Sequence, residues 1–157
     1  MVRKLLPLAA AFAVCGAAAA SAQAITVSVG APSLSGRVAV TTPVTVSCTP
    51  FDPSLTLGFE SINVTIEQAS GRSIARGVGG TSAFLGSQMV FPCDDTQSTS
   101  PVTISADPSG PPFHGGTAVI TATAMAQAGI LCGFGPNCFQ PIASQTGSSG
   151  PTTVHLH

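Results

Sequence analysis

Ile62-Asn63-Val64-Thr65-Ile66-Glu67 alternates apolar and polar side chains residue by residue. A period of two marks a half-buried strand, because successive side chains leave opposite faces of an extended backbone. The same rhythm runs through Ile25-Thr26-Val27-Ser28-Val29 and through Val44-Thr45-Val46-Ser47-Cys48. Residues 37–40, 73–78, 89–93, 102–106, 117–126 and 152–156 are further candidates, β-branched and rich in Thr. Turn clusters separate them: Ala31-Pro32-Ser33, residues 50–53, Ser70-Gly71, Gly79-Gly80, residues 107–112 and residues 147–151. Only residues 117–128, rich in Ala, offer a helical alternative. Their alternating Thr and Val and the flanking Gly115-Gly116 favour a strand. About nine short strands at this spacing predict an all-β domain, a two-sheet Greek-key sandwich, with a small barrel as the second choice.

Composition agrees with that class and narrows the partners. Of 157 residues, 44% are hydrophobic and 7% charged, with neither Trp nor Tyr. Soluble proteins average about 25% charged residues, so Ser, Thr, Asn, Gln and backbone carry the polar surface here. Low charge with ample Val, Ile and Leu argues against disorder. Residues 1–22 read as a signal peptide: Arg3 and Lys4 lead an apolar stretch, and Ala20-Ser21-Ala22 is a small-x-small cleavage site, with Ala22-Gln23-Ala24 as a second frame. The stretch is short and Ala-rich for a membrane span, and Val14 before Cys15 argues against a lipoprotein site. The expected product is a secreted, monomeric domain over residues 23–157, loop-rich from about 127, in the extracellular space or cell envelope. It keeps Arg37, Arg72 and Arg76 against Asp52, Glu60, Glu67, Asp94, Asp95 and Asp107, a net charge of −3, and it has no lysine. Nucleic acids and anionic membranes both require clustered cations, and neither partner fits.

Cleavage leaves Cys48, Cys93, Cys132 and Cys138, an even number in an oxidising compartment, so a disulfide framework is expected. Four cysteines allow three pairings. The turn-rich run Cys132-Gly133-Phe134-Gly135-Pro136-Asn137-Cys138 is able to close on itself, which favours that pair and leaves Cys48 for Cys93. A zinc–thiolate site is the rival use of four cysteines, but its closely spaced Cys knuckles are missing.

With Cys48 and Cys93 each closing a candidate strand, the chain resembles an immunoglobulin-like sandwich over residues 25–126, which implies an inter-sheet disulfide. It departs from that pattern in lacking a core Trp, in carrying Phe91 at the corner-tyrosine position, and in placing Pro92 inside a strand. The order Val44 to Cys48, Ile62 to Gln68, Gly71-Arg72, Cys93-Asp94-Asp95 and Pro112 to Ala118 is similar to small secreted actinobacterial proteins of uncharacterised function, a likeness that implies no activity. Two disulfides, one closing a short loop, also resemble the neocarzinostatin-type apoproteins, which implies a small-ligand carrier.

Residues for catalysis are sparse. His114 is the only histidine away from the C-terminal strand and lies in a Gly/Pro loop, and no Gly-x-Ser-x-Gly elbow exists. Asp94 and Asp95 are adjacent and point apart in an extended segment, while Glu60 and Glu67, an odd number apart, face opposite sides. Gly77-Val78-Gly79-Gly80 lacks the lysine and helix of a phosphate loop. Phe51, Phe59, Phe84, Phe91, Phe113, Phe134 and Phe139 read as core or loop anchors rather than as a sugar-stacking surface. Asn63-Val64-Thr65 is a formal glycan acceptor that reads as plain strand. His155 and His157 share a face of the last strand and are the weak metal candidates, read as solvated side chains on a frayed end. The expectation is a non-enzymatic module without cofactor that binds a protein or cell-surface partner. The alternative is a small-ligand carrier with its cleft beside the Cys132–Cys138 loop.

Overall fold

The computed structural model describes residues 25–85, 87–132 and 138–157. The expected signal peptide and Phe134 lie outside them. Nine strands follow in order: β1 Thr26–Val29, β2 Ser33–Ser35, β3 Ala39–Ser47, β4 Thr56–Ser70, β5 Ser73–Phe84, β6 Gln97–Ala106, β7 Gly116–Leu131, β8 Phe139–Ser148 and β9 Thr152–Leu156. No described residue is helical. All pairings are antiparallel within one sheet ordered β1-β3-β6-β5-β4-β7-β8, with β2 beside β3 and β9 beside β7. The all-β expectation holds. The expected pair of separate sheets is replaced by one sheet that nearly closes on itself.

Bare backbone explains that continuity. β5 and β6 meet over only three register pairs, from Gly77 opposite Ala106 to Gly79 opposite Ile104. A Cβ on Gly77 would lie 2.6 Å from the Ser105 carbonyl oxygen, and one on Gly79 would meet the Thr103 carbonyl. The two glycines therefore let β6 approach closely enough to join what would otherwise be two sheets. At the far edges β1 lies against β8, the Leu34 N–H of β2 donates to the His157 carbonyl (3.0 Å), and Gly147 leaves room for the Ile25 carbonyl.

Proline placement shows how the ladders end. Pro43 and Pro101 face each other across β3 and β6. The Pro43 carbonyl accepts from Gly30 N–H (2.8 Å), so its missing N–H falls in the gap between β1, which ends opposite Val44, and β2, which begins opposite Thr41. Because Pro43 turns its bonding side away from β6, Pro101 likewise turns away from β3, toward the other edge of β6, which β5 pairs only from Ile104 to Ala106.

Inside, the alternation is followed closely: β3 buries Val40, Thr42, Val44 and Val46, and β4 buries Ile62, Val64 and Ile66, with Glu60 and Gln68 continuing the same inward row. Two phenylalanines enter this core from loops at opposite ends. Phe91 comes from the β5–β6 connection and Phe113 from the β6–β7 connection, and both are buried. Residues 89–93, expected as a strand, are irregular: the Val90 and Phe91 amides serve Glu60 instead of a neighbouring strand, and Pro92 has no N–H to give. Past residue 127, expected to be loop-rich, the chain completes β7 and adds β8 and β9. β8 and β9 act as one interrupted partner of β7. Between them Ser149 donates its N–H to the Ala122 carbonyl (2.9 Å) and accepts the Ala122 N–H on its hydroxyl (3.0 Å).

Both disulfides form, Cys48–Cys93 and Cys132–Cys138. The first does not cross between sheets as the immunoglobulin likeness implies. Cys48 follows β3 and Cys93 precedes β6, and those two strands are direct neighbours.

Candidate functional site

Glu60, Gln68 and Gln145 are buried polar side chains that bond to the connections between strands. Glu60 is 2% exposed; its Oε2 accepts the N–H of Val90 (2.6 Å) and of Phe91 (3.4 Å), while Oε1 has no partner among the described residues. Eight residues on, about 26 Å along the strand, Gln68 grips the other connection: its Nε2 donates to the His114 carbonyl (2.7 Å) and its Oε1 accepts the His114 N–H (3.0 Å). Each clamp holds the residue beside, or at, a phenylalanine that enters the core. Gln145 lies in the same inward row as Glu60, across Ala126, and donates to the Thr49 carbonyl (2.9 Å) beside the first disulfide. A cavity of about 40 Å³ lined by Leu57, Phe59, Glu60, Ala83, Phe84 and Met89 has space for an ordered water. These groups are scaffold.

His114 takes part in the second clamp. Its Nδ1 is 2.8 Å from the Gly115 carbonyl and its Nε2 3.1 Å from the Ala69 carbonyl, so the ring ties the loop to the end of β4. Glu67 points outward and pairs with Arg76 (3.0 Å), opposite to Glu60, as their odd spacing requires. Asp52, Asp94 and Asp107 close three like turns, each accepting the N–H and hydroxyl of the residue two further on: Ser54, Thr96 and Ser109. This repeated Asp-x-Ser/Thr signal is readable in the sequence as local turn chemistry.

These carboxyls titrate in opposite senses. Hydroxyl and amide bonds hold Asp52, Asp94 and Asp107 below the usual 3.8, so the stability they contribute is present above that value and is lost as pH falls through their lowered ones. Burial raises Glu60 above the usual 4.5, with the Val90 and Phe91 amides opposing. Its contribution is full below 4.5 and is lost as pH rises through the raised folded value. Glu60→Gln keeps an acceptor for Val90 and removes the charge. Its melting temperature should therefore gain on the wild type as pH rises from 4 to 8, whereas parallel profiles would refute the assignment.

The outer face of β4, β7 and β8 carries rows of neutral polar side chains. The registers align Ser61, Met125 and Thr146 in one row and Asn63, Thr123 and Ser148 in the next, with Thr65 and Thr121 continuing the array. The six residues of those two rows line a shallow groove of about 540 Å³ together with Ala124 and Gly147. A second groove of about 360 Å³ continues it past Thr65 and Thr121 to Val78, Val119 and the Glu67–Arg76 pair. On the opposite face Thr41 bonds to Thr103 (3.3 Å) and Thr45 to Thr99 (2.8 Å). Among the described residues, Asn63, Thr65, Thr121, Thr123 and Thr146 make no side-chain hydrogen bond within the protein. The Cys132–Cys138 cleft expected for a carrier depends on residues 133–137, which lie outside the described ones.

No protein-family model, curated protein or solved structure matches the chain. No helix among the described residues is long and apolar enough to cross a membrane.

Proposed function

We propose that the protein is a secreted, non-catalytic module that binds another protein through the outer face of β4, β7 and β8. The observation that carries this reading is the array of unengaged hydroxyl and amide groups along the two grooves. Its chemistry selects the partner. The array holds no ring for stacking on a sugar, and its one cation, Arg76, is paired with Glu67, which leaves nothing for phosphate. Neutral donors and acceptors, with Met125, Val78 and Val119 as apolar contacts, suit an uncharged polar polypeptide surface. Two disulfides are consistent with a life outside the cell.

The test compares charged substitutions on the two faces. Asn63→Lys and Thr123→Lys place an unpaired cation in the centre of the groove, and Thr103→Lys places one on the opposite face. A protein captured from culture medium by the wild type should bind about tenfold more weakly or worse to the first two variants and unchanged to the third. Equal retention by all three, or loss only with Thr103→Lys, would overturn the assignment.

A further inference from the structure

We propose that His155 and His157 form a preorganised two-imidazole site for a late first-row divalent transition metal, Cu²⁺ before Zn²⁺. His155 on β9 and His157 immediately after it are alternate residues that project from one face, and both are exposed there with ring centres 4.8 Å apart and planes at 54°. Two imidazole nitrogens that share a metal at about 2.0–2.1 Å lie about 3 Å apart, within reach of rings so placed by small side-chain rotations.

The backbone beneath them is fixed on both sides. His155 pairs with Thr117 in the β7 ladder, the intervening Leu156 is 1% exposed in the core, and the His157 carbonyl accepts the Leu34 N–H (3.0 Å). The frayed end expected from the sequence is therefore a sheet strand anchored to β7 and β2. Only side-chain rotors remain to be ordered on binding, which removes the main entropic objection to the site.

Ligand chemistry selects the metal. Imidazole suits Cu, Ni and Zn, affinity rises to Cu²⁺ along the divalent series, and Mg²⁺ or Ca²⁺ would need an oxygen cage. Among the described residues no group of three or more His, Cys, Asp or Glu gathers. The remaining coordination positions therefore stay open to water or to a donor from the medium, and the metal exchanges readily instead of supporting the fold.

The experiment uses untagged full-length protein titrated separately with CuCl₂, ZnCl₂ and MgCl₂, read by calorimetry and by broadening of histidine ring NMR signals under Cu²⁺. Expected are one Cu²⁺ per chain, weaker Zn²⁺ and no Mg²⁺ binding, with the His155 and His157 signals broadening before that of His114. His155→Asn and His157→Asn, both surface changes, should melt like the wild type without metal and each lose about tenfold or more in Cu²⁺ affinity, because a chelate loses one of its two arms. Earlier broadening of His114, binding unchanged in the double variant, or a loss below twofold in each single variant would overturn the proposal.

Discussion

Replacing Cys48 and Cys93 together by alanine lowers stability by about 4 kcal/mol, against about 2.4 kcal/mol for removing Cys132 and Cys138. The difference follows from loop length, since the bridges span sequence separations of 45 and 6. Closing the longer loop removes more conformations from the unfolded chain. Native contacts add to the gap. The first bridge ties the end of β3 to the connection that delivers Phe91 two residues earlier, and the Asp95 N–H donates to the Cys48 carbonyl (3.0 Å) in the same knot. A domain of this size has about 5–15 kcal/mol in hand, so the first variant should unfold at a clearly lower denaturant midpoint. Hydrogen exchange of the Val90 and Phe91 amides should also accelerate in it. Equal midpoints for the two variants would show that loop length does not rank these bridges.

Strand content was largely legible because burial and alternation coincide in β3, β4 and β9. The failures share a cause: an apolar or turn-like residue answering to a partner distant in sequence. Met89-Val90-Phe91 reads as strand because it is apolar, yet it is apolar because Phe91 fills the core end while Glu60, thirty residues earlier, takes its amides. Gly79-Gly80 reads as a turn, but Gly79 lies in β5 where the Thr103 carbonyl of β6 leaves no space for a side chain. β8 hides behind Pro141, Gly147 and a bulge at Ile142, where the register against β7 slips between Ala128 and Gly129. The small barrel stood only as the second choice, and the seam that joins the strands into a single sheet was no more visible, since it depends on carbonyls that approach glycines. At the candidate sites the shared face of His155 and His157 was legible from spacing alone. The hold of Leu34 on His157 was not, because a backbone bond carries no sequence mark.

Phe113→Ala and Phe91→Ala should each cost about 3–5 kcal/mol, the range for emptying a buried aromatic site. Phe84→Ala, half-exposed and in edge contact with Phe139 (ring centres 6.3 Å apart), should cost clearly less. Phe113 also gives a sharper test through its neighbour. A Cβ on Gly77 would lie 2.8 Å from Phe113 Cζ and 2.9 Å from Ile104 Cγ2, as well as close to the Ser105 carbonyl. Gly77→Ala must therefore displace the ring, and Gln68 opposes that movement by holding the adjacent His114 backbone through two hydrogen bonds. Once Phe113→Ala has removed the ring, the added methyl meets one fewer obstacle. The double variant should be less destabilised than the sum of the single ones by about 0.5 kcal/mol or more, the scale at which contacting residues couple. The residual cost of Gly77→Ala would then report the Ser105 carbonyl and the Ile104 methyl, both on β6, that is, the close approach that joins β5 to β6. Strict additivity in urea unfolding would show that Phe113 does not bear on Gly77, and the seam would then owe nothing to the phenylalanine beneath it.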